Sequence, residues 1–131
     1  MDDDAARDLV LHHAEEVLTL GGWAGFASGD SQPVPCHRPD GHDADTLQYM
    51  SGSFQLIVPL KQHRSLIDRV ARGWAAHGYT VTPVTSFADG GAKVTARTAD
   101  EFIDMTLGSG EAPAVVLIIV TACYHPSLPN R

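Results

Sequence analysis

Several things are scarce in this sequence, and each scarcity removes a class of function. Basic residues are few: 9 Lys and Arg stand against 16 Asp and Glu, a formal net charge of −7. Nucleic acid is therefore not an expected partner, because its phosphates call for a basic face. Long apolar runs are missing as well. The longest, Ala112 to Ala122, falls far short of the roughly 20 residues that a bilayer-spanning helix requires. The signatures of nucleophilic catalysis are also wanting: no Gly-x-Ser-x-Gly elbow occurs, and Gly108-Ser109-Gly110 is too short for a phosphate loop and reads as a hairpin turn. What is left is an acidic chain of 131 residues, read as a single domain over 1–131 that is large enough to bury a core without help from metals. The acidic balance is in the first place a solubility feature and in the second a complement to a basic partner. No specific biochemical activity is disclosed.

There are only two cysteines, Cys36 and Cys123, and they bracket nearly everything that patterns as core. Cys36 sits in a polar, proline-rich stretch from Gln32 to Pro39, and Cys123 closes an apolar run just before Tyr124-His125-Pro126. Neither context suits a buried free thiol, so the pair is expected to be bonded. Such a bond closes 87 residues (123 − 36), and chain entropy at that length gives about 4 to 5 kcal/mol, comparable with the whole stability of a small domain. A disulfide implies an oxidising compartment. Met1-Asp2-Asp3-Asp4 is acidic, however, and no apolar leader follows it. Two expectations result: an extracytoplasmic or envelope location with the bond, its leader removed, or a cytoplasmic protein starting at Met1 with free thiols.

Along the chain, Asp2 to Asp4 place negative charge at a helix start, and Val10, Ala14, Val17 and Leu18 recur at helical spacing until Gly21-Gly22. This predicts a first helix from about Asp4 to Leu20. Residues 22–46 are rich in Gly, Pro, Ser, Asp and His and read as one long loop. Leu47 to Val58 alternates, as a half-buried strand does. A second helix is predicted over about Lys61 to His77, with Leu66, Ile67, Val70, Ala71 and Trp74 on its apolar stripe and Gly73 marking a close backbone approach. Turn signals then separate four strands, Tyr79 to Phe87, Ala92 to Thr98, Phe102 to Leu107 and Ala114 to Ala122, before a polar tail over 124–131.

The last of these strands is apolar on both faces, which suits a central position. Laying the first strand antiparallel beside it gives a five-stranded, largely antiparallel sheet of order 2-3-4-5-1 with two helices, topology α-β-α-β-β-β-β. That order also brings Cys36 towards Cys123. Val115, Leu117 and Ile119 should face one layer and Val116, Ile118 and Val120 the other, all largely buried.

Candidate site residues are modest. His12 and His13 are adjacent on a helix and cannot both face one metal. His37, Asp40, His42, Asp43 and Asp45 cluster in the long loop, but their spacing matches no metal motif, so neither metal nor cofactor is expected. Glu15 and Glu16, or Asp100, Glu101 and Asp104, offer carboxylates for acid or base work, and read more simply as a charged helix face and a strand end. Trp23 and Phe26 flank glycine in the loop and either anchor it onto the sheet or present a binding patch. With His37, Asp40 and His42 they make up the candidate binding surface.

The layout resembles small actinobacterial domains that include the LppA-like lipoproteins. The resemblance is carried by Pro35-Cys36, by Gly52-Ser53-Phe54-Gln55-Leu56-Ile57-Val58-Pro59, by Arg72-Gly73-Trp74-Ala75-Ala76-His77-Gly78-Tyr79, by Val94-Thr95-Ala96-Arg97-Thr98 and by Thr121-Ala122-Cys123. It implies an α+β sandwich with paired cysteines and no catalytic residues to carry over. The functional expectation is a non-catalytic binding or accessory protein, envelope-associated or secreted, with a protein partner. Its rivals are an immunity-type inhibitor of a basic toxin and a small hydrolase or isomerase with a histidine and carboxylate pocket.

Overall fold

The structure is a computed structural model and describes residues 1–36 and 47–126. Helix α1 (Asp3–Gly21) begins where the acidic N-terminus supplies a cap: Asp2 accepts a hydrogen bond from the Ala5 N–H at 2.8 Å, and Asp3 and Asp4 complement the positive end of the helix dipole. Gly22 ends it at φ 67°, the left-handed conformation of a C-terminal cap. Then come β1 (Ser28–Pro35), β2 (Gln48–Ile57), α2 (Leu60–Ala76), β3 (Thr80–Val81), β4 (Thr85–Ser86), β5 (Ala92–Arg97), β6 (Ile103–Ser109) and β7 (Ala114–Thr121).

The strands form one antiparallel sheet of order β1-β2-β7-β6-β5-β3, with β4 also paired to β5. The expected placement of the Leu47 to Val58 strand beside the final one is realised by β2 and β7, with Ser53 opposite Ile118. The sheet has seven strands rather than five. Part of the expected 22–46 loop is β1, an edge strand in register with β2 from Ser28 opposite Gln55 to Pro35 opposite Gln48. Its prolines are tolerated because an edge strand turns half of its N–H groups away from the ladder. The expected Tyr79 to Phe87 strand is broken at Pro83 into the two-residue strands β3 and β4. Tyr124, assigned to the polar tail, is buried and bridged to Gln48.

Both helices lie on the same face of the sheet, α1 across β2 and β7 and α2 across β5, β3 and β6. The core fills the space between the layers: Val10, Ala14 and Val17 of α1, Leu66, Ile67, Val70 and Trp74 of α2, and Met50, Phe54, Leu56, Val94, Met105, Leu107, Val115, Leu117 and Ile119 from the strands. Two glycines set the spacing. A Cβ on Gly52 would lie 2.5 Å from Val10 Cγ1, and one on Gly73 2.5 Å from Leu20 Cδ2, so α1 approaches both β2 and α2 more closely than any side chain would allow.

With both helices on one side, the expectation for β7 needs correction. Val115, Leu117 and Ile119 are fully buried, but Val116 and Val120 are half-buried and Ile118 is 43% exposed. The second face of the sheet is open to solvent, which is common where antiparallel strands carry one polar side.

Cys36 and Cys123 are bonded, with their Cα atoms 6.4 Å apart. Around them the Cys36 N–H donates to the Leu47 carbonyl at 3.0 Å, and Gln48 and Tyr124 exchange backbone hydrogen bonds of 3.0 and 2.7 Å. Asp3 Oδ1 closes the corner by accepting from Tyr124 Oη at 2.9 Å and from Gln48 Nε2.

Candidate functional site

Of the expected site residues, the structure describes Cys36, Cys123, Trp23 and Phe26. Cys36 and Cys123 are bonded to one another. Trp23 and Phe26 are half-buried against the core, and the Phe26 ring tilts onto Phe54 with centroids 5.0 Å apart, a placement that anchors the chain between α1 and β1. His37, Asp40 and His42 lie outside the described residues. Among the described residues, no group of three or more His, Cys, Asp and Glu side chains is placed to hold a metal, and no helix is long and apolar enough to cross a membrane.

Two other regions stand forward, and they gather residues that the sequence offered only separately: Val116, Ile118 and Val120 of the last strand, and Glu16 and Asp100 among the carboxylates. The first is the open face of the sheet. At its centre β7 presents Val116, Ile118 and Val120; register sets Ile118 between Ser53 of β2 and Thr106 of β6, and Thr106 opposite Thr95 of β5. Thr82 continues the row, its hydroxyl 3.0 Å from that of Thr95. An apolar strip, extended by the exposed Ile57, is thus bordered by hydroxyl groups. The strands' charged residues on this face are Lys93, Arg97, Asp30 and Asp104, and Arg97 Nε donates to Asp104 Oδ1 at 2.7 Å. They sum to zero, in contrast to the −7 of the whole chain. An open groove of about 490 Å³ runs along the β3 side of the face between Thr82, Thr95, Arg97 and Asp104.

The second region lies at the edge of the helical layer. His13 of α1 is 93% buried by the 7% exposure it retains, and its Nδ1 has no hydrogen-bond partner. Glu16 Oε1 stands 3.9 Å from that nitrogen, beyond hydrogen-bond reach, and itself accepts from Tyr79 Oη at 3.0 Å. Asp100, in the turn between β5 and β6, completes the group: its Oδ1 accepts from Thr98 Oγ1 at 2.6 Å and from the Phe102 N–H at 3.0 Å. Burial pushes the His13 imidazole below its ordinary 6.5, outweighing the opposite pull of Glu16. Burial, reinforced by the bond to Glu16, pushes the Tyr79 phenol up to about 12. The Thr98 hydroxyl and the Phe102 N–H hold the Asp100 carboxyl below its ordinary 3.8. The result is a neutral imidazole beside two carboxylates. At 3.9 Å Glu16 makes no hydrogen bond to His13, and two carboxylates beside a neutral imidazole are a set that can receive positive charge. From sequence, His13 gave a single usable signal, its place on the buried stripe with Val10, Ala14 and Val17; nothing local tied it to Tyr79 or Asp100.

A further histidine is engaged wholly inside. His63 is fully buried; its Nε2 pairs with the Val58 carbonyl at 2.7 Å, which fixes the proton on that nitrogen, and Ser109 Oγ donates to Nδ1 at 2.8 Å. Ser109 Oγ also accepts from the Ala92 N–H at 3.0 Å. The serine and histidine therefore act as a clasp between the end of β2, α2 and the β5–β6 pair.

No family model matches this sequence, and no curated protein matches it. Among solved structures, the chain is similar to the crystal structure of the candidate lipoprotein LppA from Mycobacterium tuberculosis: the match covers 98% of this chain and 83% of that one, with a TM-score of 0.57 and 14% sequence identity. At that identity the likeness is one of fold, and the α+β architecture described above is the one this chain shares with that protein.

Proposed function

We propose that this protein works outside the cytoplasm, at the cell envelope or in secreted form, as a non-catalytic accessory protein that docks a protein partner on the open face of its sheet. The observation that carries the proposal is the strip of Val116, Ile118 and Val120 at the centre of that face, bordered by Ser53, Thr95 and Thr106. An apolar centre within a polar rim is the anatomy of a protein interface. Because the strands' charges cancel there, the face lets a partner approach without the repulsion that the rest of this acidic chain would exert. The partner it fits is flat, apolar at its centre and able to exchange hydrogen bonds with hydroxyl groups at its rim. The disulfide and the fold shared with a candidate lipoprotein support the compartment.

The test places a photo-activatable side chain at Ile118, with a control at the exposed Arg64 on α2, in cells that make the protein, and traps free thiols during lysis. The expected result is one discrete adduct from position 118, none from position 64, and both cysteines oxidised. Reduced cysteines in the cell would overturn the compartment, and position 118 giving no more adduct than position 64 would overturn the face. The immunity-type alternative rests on a different surface, α1, where Asp2, Asp3, Asp4, Asp8, Glu15 and Glu16 face a single cation, Arg7. A basic partner seated there would cross-link through α1 instead.

A further inference from the structure

We propose that the cavity between α1 and the turn joining β5 to β6 is a binding site for a primary alkylammonium group, such as a lysine side chain. The cavity, about 330 Å³, has one apolar wall from Leu9, Ala99 and Ile103 and one polar wall from His13, Tyr79 and Asp100. The first suits a methylene stem and the second a cationic head.

The polar wall lacks donors of the kind that an ammonium would bring to it. His13 is buried with an unpartnered ring nitrogen, a condition that folded proteins rarely leave without a reason. With the proton on Nε2, Nδ1 is an acceptor that lacks a donor, and Glu16 Oε1 stands 3.9 Å from it, so one donor placed between the two would serve both. Asp100 is held in place through Oδ1 by Thr98 and Phe102, so its second oxygen is free to accept from a ligand. Among the described residues, no Arg or Lys pairs with Glu16 or Asp100; the arginines that pair do so with Asp4, Asp68 and Asp104. The site thus offers an imidazole acceptor and a carboxylate at an apolar recess, a second carboxylate behind the ring, and no cation of its own. An ammonium carries three donors on a compact head and satisfies such a set without a planar constraint. A guanidinium seeks both oxygens of a carboxylate at once, and one oxygen of Asp100 is already engaged.

The site is on the opposite side of the molecule's sheet from the open face, and it does not rest on the function proposed above. The test uses the full, oxidised chain and two-dimensional NMR of the His13 ring. Probes are n-butylammonium, a lysine tripeptide blocked at both ends, and the same tripeptide with norleucine or arginine in place of lysine. Lysine and butylammonium should shift the His13 and Tyr79 resonances, norleucine should not, and arginine should bind about tenfold more weakly, a difference of about 1.4 kcal/mol. Bound ammonium should also lower the titration midpoint of His13, which is faced by Glu16 and His12 from α1, by Tyr79 after α2 and by Asp100 from the turn. Asp100→Asn, at an exposed position where the fold should survive, should weaken lysine binding about tenfold, and Ala99→Phe should block it by filling the recess. A lysine peptide binding more tightly than butylammonium identifies a polypeptide as the source of the group; equal affinity identifies a free amine. Norleucine binding as well as lysine, or a His13 midpoint that ammonium leaves unmoved, would overturn the proposal.

Discussion

Neighbouring residues on β7 should respond in opposite ways to the same charge. Ile119 is fully buried, and its cross-strand partners are Gly52 and Met105, neither of which can pair with a carboxylate. Ile119→Asp loses the burial of a large side chain, about 2 to 5 kcal/mol, and adds an unpaired buried polar group that costs several kcal/mol more even if protonated. The sum reaches the 5 to 15 kcal/mol that hold a typical domain together. Ile118 is 43% exposed between Ser53 and Thr106. Full burial of an isoleucine is worth about 1.5 to 3 kcal/mol, so the covered part of this one contributes roughly half of that, about 0.8 to 1.5 kcal/mol, and an aspartate there keeps its water. Urea unfolding of the oxidised protein, followed by circular dichroism, should show Ile118→Asp folded with a modestly lowered midpoint and Ile119→Asp unfolded or insoluble. Equal losses in the two variants, or a well-folded Ile119→Asp, would refute the one-sided core.

The Cys36→Ala, Cys123→Ala double variant should lose about 4 to 5 kcal/mol, the chain-entropy value for a loop of 87 residues, and mild reduction of the wild type should reproduce the loss in its urea midpoint. Stability should depend on pH through His13. Its folded value lies below the ordinary 6.5, so its contribution is complete above pH 6.5, falls as the unfolded state takes up a proton first, and levels off once pH passes below the folded value. His13→Leu should flatten that slope in unfolding midpoints measured across about pH 5 to 8. Gly52→Ala should lower stability by about 1 to 3 kcal/mol, because its Cβ would meet Val10 Cγ1 at 2.5 Å and Phe54 Cε2 at 2.8 Å; an unchanged melting temperature would show that α1 is free to shift.

Where a residue type and its periodicity agreed, the fold was legible in the sequence. Gly21-Gly22 ended α1, Trp74 took its place in the core, Gly73 marked a close approach, and the contexts of Cys36 and Cys123 fitted a bond. β1 escaped because Gly29, Pro33 and Pro35 are residues that strands generally avoid, and an edge position excuses them only once the neighbouring strand is known. The apolarity of Val116, Ile118 and Val120 pointed to a second buried layer. That inference failed because the side on which α1 packs is decided by tertiary contacts, Leu20 against Gly73 and Val10 over Gly52, that no local pattern specifies. The His13 group was illegible for a related reason: His13, Glu16, Tyr79 and Asp100 come from three separate parts of the chain, and only helix packing gathers them.

The corner that joins Cys36, Gln48, Tyr124 and Asp3 also determines how the molecule bears a mechanical load. Asp3 and Tyr124 are in contact, so tension applied through the two ends of the chain enters at one place, and a sheet loaded at a single corner ordinarily opens like a zipper. Here the load arriving at Cys123 divides, part running up β7 and part crossing the covalent bond to Cys36 at the end of β1. Strands on both sides of β2 are then pulled together, and β7 cannot be peeled from β2 without dragging the edge strand along. Stretched from its ends in a single-molecule instrument, the oxidised protein should yield at a higher force than the reduced one and with a shorter gain in length, because the segment between the cysteines, a sequence separation of 87, remains a closed loop.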